Sequence, residues 1–122
     1  MIVYKCPICG NIIFVMDGNA KSIRCCGSEL IELTANDTDA ALEKHVPSYE
    51  IVNDKIDVTI GEVEHPMDKD HYIMWIAIVY DNKYEIKSLN PFDKPKAVFD
   101  YYDNSVIYAY CNKHGLWKKE ID

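Results

Sequence analysis

The chain has 122 residues, enough for one ordinary domain or for one small domain joined to a minimal module that needs a metal or disulfide to fold. Its formal net charge of -7 argues against non-specific binding to nucleic acid, whose phosphates it would repel, but not against a small anion drawn to a local positive spot. No apolar run approaches membrane-spanning length, and Met1 to Lys5 leads into Cys6 without the segments of a secretory signal, so a cytoplasmic protein with no membrane partner is expected.

In a reducing compartment the five cysteines read as ligands rather than disulfides. Their odd number fits one site using four and another using one. The first four come early. Cys6-Pro7-Ile8-Cys9-Gly10 is a CxxC knuckle whose turn aims backbone N–H groups at the sulfurs and whose glycine can take positive φ. Cys25-Cys26-Gly27 follows, and a hairpin of Ile12–Met16 with Lys21–Arg24 about the turn Asp17-Gly18-Asn19 is expected to bring the sulfur pairs together. Most such four-cysteine sites hold structural zinc. Here Cys25 and Cys26 are adjacent, so chelation by both must distort the tetrahedron, a tuning that a redox iron uses and for which zinc has little use. A module of this size cannot bury an adequate core and should be ordered by its metal.

Thr34 to Thr38 reads as linker and helix cap, with Asp39 to Lys44 giving one or two helical turns that Pro47 ends. The expected organisation is a metal-bound module over 1–34, a linker with a short helix over 35–44 and a third region over 45–122. That region reads as strand after strand: Tyr49–Val52, Lys55–Ile60, Tyr72–Tyr80, Tyr84–Leu89, Ala97–Tyr102, Val106–Tyr110 and Leu116–Ile121. Short strands separated by turns such as Asp81-Asn82-Lys83 and Asp103-Asn104-Ser105 predict an antiparallel β-sandwich, so the class is all-β. Trp75 and Trp117 are expected to pack in the core or in a site wall.

Cys111 and His114 lie three apart between an aromatic run and Leu116-Trp117, close enough to hold one ion from a single turn. Each remaining histidine, His45, His65 and His71, stands at a loop or strand end. Taken singly, each is more often a surface or hydrogen-bonded residue, and a lone Cys111 is more often an inert buried thiol. Together, four imidazoles and one thiolate exceed the four ligands of structural zinc and leave one octahedral position open, which suits iron and one-electron chemistry on a small oxygen species.

The knuckle, the Cys25-Cys26-Gly27 pair, Glu43-Lys-His-Val-Pro47, His65-Pro-Met67, His71-Tyr-Ile73 and Cys111-Asn-Lys-His-Gly-Leu-Trp117 resemble desulfoferrodoxin, the two-iron superoxide reductase family, in that family's order over nearly the whole chain. The resemblance implies a desulforedoxin-like module binding iron through Cys6, Cys9, Cys25 and Cys26, with zinc an alternative in that site. It implies an immunoglobulin-like sandwich whose catalytic iron is held by His45, His65, His71, Cys111 and His114. It further implies a homodimer, rubredoxin or a similar electron donor, and an anaerobic or microaerophilic host. It places Lys44 beside the open position, where an ammonium attracts superoxide, and Glu43 as a ligand able to close that position in the ferric state. Superoxide would be reduced to hydrogen peroxide. Two other readings compete: an electron-transfer or structural metal protein without catalysis, and an iron oxygenase, for which a single open position is too few.

Overall fold

In Lys55–Ile60 every second residue is apolar and buried, while the intervening side chains point outward, the mark of a strand with one covered face. The central run Ile73–Tyr80 is apolar on both faces and buried over most of its length. The computed structural model describes residues 2–38, 45–61 and 65–121, and among them are twelve strands and no helix. The short helix expected over Asp39–Lys44 lies outside the described residues. No helix among them is long and apolar enough to cross a membrane.

The chain divides into two compact units, Met1–Thr34 and Ala35–Asp122. In the first, β1 (Ile2–Lys5) is the middle strand of a small sheet, flanked by β2 (Ile12–Val15) and β5 (Ile31–Glu32), and β3 (Arg24–Cys25) pairs with β4 (Ser28–Glu29). The expected hairpin of Ile12–Met16 with Lys21–Arg24 is therefore not formed. The knuckle is itself the turn that folds β2 back on β1, with Lys5 opposite Ile12, so β2 already has its partner. Gly18 has a positive φ of 86°, and the segment after it is instead tied down by Ala20 N–H donating to the buried Tyr4 hydroxyl at 3.2 Å. Val3, Tyr4, Cys6 and Ala20 are this unit's buried apolar residues among those described.

The second unit is an immunoglobulin-like antiparallel sandwich. One sheet has the order β10 (Lys96–Asp100), β7 (Lys55–Ile60), β6 (Pro47–Val52); the other has β12 (Gly115–Glu120), β11 (Val106–Cys111), β8 (Ile73–Tyr80), β9 (Lys83–Ser88). These are the seven strands expected from the sequence, with no end displaced by more than two residues. Ile56, Val58, Ile60 and Phe99 from the first sheet and Ile73, Ile76, Ile78, Ile107 and Ala109 from the second form one buried cluster. Burying each isoleucine contributes about 1.5–3 kcal/mol. Cys111 belongs to that cluster and is fully buried. The β11–β8 register shifts between Tyr110 and Cys111, so Tyr110 faces Trp75 while Cys111 faces Ile73. Such a bulge bends the strand end and aims its last side chains; here it lies where the candidate ligands begin.

Candidate metal centres

Cys6 immediately follows β1, and the knuckle turns back on it: Cys9 N–H donates to its sulfur at 3.5 Å and Gly10 N–H to its carbonyl at 3.0 Å. Gly10 sits at φ 80°, the left-handed conformation the turn requires. On the other side, Cys25 and Ser28 pair across a two-residue turn in which Cys26 (φ 54°) and Gly27 (φ 73°) both take positive φ, as a type I′ turn demands. Cysteine is an unusual occupant of that position. Its left-handed backbone turns the chain sharply after Cys25 and brings two adjacent side chains, which would otherwise diverge, toward one point. The four sulfurs lie within 4.8 Å of one another, with Cys9 and Cys25 3.6 Å apart, and all five cysteines are free of disulfides.

The donor chemistry of this cluster calls for a cation. The Cys9 N–H bond pulls the Cys6 thiol down to about 6 despite its burial, while the Cys6 and Cys9 sulfurs push Cys25 up to about 12. Cys26 is raised as well, with the Cys9 sulfur the first cause. Sulfurs this close cannot all ionise unless a positive ion offsets their repulsion. Asn11, which spacing alone did not single out, donates from Nδ2 to the Cys25 sulfur at 3.8 Å.

At one end of the sandwich the four histidines close a ring of neighbours. Ring centroids are separated by 4.5 Å for His45–His65, 5.0 Å for His65–His71, 5.0 Å for His71–His114 and 4.9 Å for His114–His45, every pair edge to face. His45 and His65 are buried, and both ring nitrogens of His45 and the Nε2 atoms of His65 and His71 are shut off from solvent. Burying imidazoles in this way is costly without polar or metal partners. The donor atoms of His45, His71, Cys111 and His114 all lie within 4.8 Å of one another. His65 is not in that tighter group, although its ring is one side of the square. Its Nδ1 lies 2.7 Å from the Pro66 carbonyl, which can only accept, so the proton sits on Nδ1 and the lone pair on Nε2. His114 Nδ1 lies 3.9 Å from the Cys111 sulfur.

Surrounding residues fix these rings. The Trp117 indole stacks on His45 at 4.6 Å and 12°, and its Nε1 donates to the His114 carbonyl at 3.1 Å, so the expected wall residue touches two candidate ligands. Met67 accepts the Ile73 N–H on its sulfur at 3.4 Å. Asn112 bonds across to the segment that carries His71. No spacing rule marks Met67 or Asn112; their only sequence signal is position next to candidate ligands. The structure thus brings nine of the ten candidate ligands together in two groups, while the tenth, Glu43, and its neighbour Lys44 lie outside the described residues.

Two family models match the chain: "Desulfoferrodoxin, N-terminal domain" over residues 1–33 and "Desulfoferrodoxin" over residues 37–120. The desulfoferrodoxin of Syntrophotalea carbinolica is 45% identical over 119 residues, covering 97% of this chain and 94% of that one. A protein named superoxide reductase from Thermococcus kodakarensis is 33% identical, covering 75% of this chain and 97% of its own length. Among solved structures, the superoxide reductase of Treponema pallidum superposes with a TM-score of 0.75 at 26% identity, covering 96% of this chain and 94% of that one.

Proposed function

The chain belongs to the desulfoferrodoxin family, and on that footing we infer that it is a superoxide reductase with two irons, one in a four-cysteine site and one in a four-histidine, one-cysteine site. The observation that carries this reading is the square of four imidazoles beside a buried cysteine. A tetrahedral structural zinc has no use for that arrangement. Iron held there would supply the single electron that, with two protons from solvent, converts superoxide to hydrogen peroxide.

The protein's side chains do the rest. His45, His65, His71, His114 and Cys111 would hold that iron, five donors that leave room for a small substrate. His65 presents Nε2 because its Nδ1 proton is held by Pro66. Cys111, within the buried core cluster, would supply a thiolate donor to that iron, and the packed apolar side chains keep water from its sulfur. Lys44, next to His45 in sequence, offers the positive charge that draws a small anion to an otherwise acidic protein. Glu43, two residues before His45 in sequence, would be the carboxylate available to an oxidised iron in that site. Cys6, Cys9, Cys25 and Cys26 hold the first iron.

The functional division we propose is a desulforedoxin-like module over 1–34, a linker over 35–44 and a catalytic sandwich over 45–122. Rubredoxin or a similar protein returns the electron, the chain works as a homodimer, and five cysteines held outside disulfides suit the cytoplasm. Metal analysis combined with a superoxide-consumption assay tests the core of this reading. It calls for two irons per chain and activity that follows the iron in the histidine site; a protein without iron in that site and without superoxide-dependent turnover would contradict it.

A further inference from the structure

Asn112 lies between Cys111 and His114 in sequence, and its side chain reaches the segment of a third candidate ligand. Its backbone N–H donates to the Tyr72 carbonyl at 3.2 Å, its Oδ1 accepts the Tyr72 N–H at 3.0 Å, and its Nδ2 donates to the Asp70 carbonyl at 3.0 Å. The two bonds to Tyr72 imitate one more rung of the β8–β11 ladder beyond the bulge, with the carboxamide oxygen standing in for a backbone carbonyl. The bond to Asp70 grips the chain on the other side of His71.

The segment so gripped is already a closed turn. Asp68 N–H donates to the His71 carbonyl at 2.9 Å, and His71 N–H to the Asp68 carbonyl at 3.2 Å. Asn112 therefore hooks a preformed turn, on both flanks of His71, to the β11–β12 turn that carries Cys111 and His114. The task needs one acceptor and one donor on a short stem, which asparagine supplies. Aspartate would set a second acceptor against the Asp70 carbonyl, serine would supply a single group, and glutamine would be a methylene too long.

We infer that Asn112 is a positioning residue, fixing His71 relative to Cys111 and His114 so that the histidine square receives its iron without rearrangement. This rests on the reading of that square as an iron site. Misplaced ligands would have to be drawn together by the ion, at the expense of binding.

The test compares full-length wild type, Asn112→Ala and Lys113→Ala, the last an exposed neighbour between the same two ligands. Ferrous-iron affinity of the second site is measured anaerobically by chelator competition, alongside the unfolding midpoint of each metal-free protein. Asn112→Ala is expected to weaken ferrous iron about 10–100-fold, to lower the metal-free stability by less than that loss, to leave the loading of the cysteine site unchanged, and to shift the sulfur-to-metal absorption of the cobalt-substituted protein. Lys113→Ala is expected to match wild type. The inference is overturned if Asn112→Ala binds within about 3-fold of wild type, if its loss is matched by an equivalent fall in metal-free stability, or if Lys113→Ala loses as much. Wild type that takes no ferrous iron outside the cysteine site would bring down the iron reading itself, and with it this role for Asn112.

Discussion

The two units reach their ligand sets by opposite routes. In the first, four sulfurs sit on two turns, one of them made from residues in left-handed backbone, and few apolar side chains among the described residues are buried. In the second, imidazoles and a thiol stand at strand ends, and Cys111 and Ile73 belong to the same buried cluster. The first arrangement has little besides the ion to oppose the entropy of ordering it, whereas the second is backed by a core that exists without the ion. Metal should therefore organise the first site, and the fold should organise the second.

Metal removal gives the largest expected contrast. Ion binding in small cysteine modules is worth about 10–16 kcal/mol, nearly all of it folding energy. Stripping both sites should abolish amide protection in Met1–Thr34 and leave protected amides in β7, β8 and β11. Hydrogen exchange of the metal-free protein measures this directly, and persistent protection of β1 and β2 would erase the distinction. The converse is Ile76→Ala, which removes a fully buried side chain from the sandwich core. It should cost about 2–5 kcal/mol in the sandwich's unfolding transition while the cysteine site keeps its absorption spectrum; a parallel loss of both would mean that the units do not fold separately.

A smaller effect is expected from Lys44→Ala. Loss of a local positive field should slow the encounter with superoxide by about 10-fold at low salt and flatten its dependence on ionic strength. Pulse radiolysis at several salt concentrations checks both, and an unchanged slope would return Lys44 to the solvated surface. Smallest of all is Asp100→Asn, at a site remote from the ligands in sequence. The Lys55 ammonium donates to the Asp100 carboxylate and holds it below its ordinary 3.8. A depressed carboxylate contributes stability that is present above its unfolded value and lost as pH falls through the folded one. The melting-temperature difference between wild type and variant should thus be constant near neutrality and vanish in acid below 3.8. A difference that grew on acidification would reverse the sign of this contribution.

Much of the sandwich was legible because strand alternation and turn residues agree along its length: Lys55–Ile60 was read to the residue and Ile73–Tyr80 to within one. The cysteine module was harder, because its strands are short and pairing partners are not encoded by periodicity. Asp17-Gly18-Asn19 has the composition of a hairpin turn, yet β2 turns back to β1 through the knuckle. The ligands themselves were conspicuous as scarce residue types at chain punctuation. What closes the sites was not: the I′ turn at Cys26-Gly27 hid behind its cysteine, and Asn112 and Met67 act through contacts with residues that no spacing rule connects to them. The ring square is a property of three separate loops and could be anticipated only as a meeting point.

The central claim is that the Cys111 thiolate makes the histidine site a reductase rather than a dismutase. Thiolate donation favours the oxidised state of the bound metal, so that state is a poor oxidant of a second superoxide. The direct test measures oxygen release beside peroxide formation in donor-free solution, corrected for spontaneous dismutation. The expected result is peroxide up to about one equivalent per catalytic iron, then arrest until a reductant is added, with no catalytic oxygen. Sustained oxygen release would make the enzyme a dismutase and contradict the role assigned to Cys111.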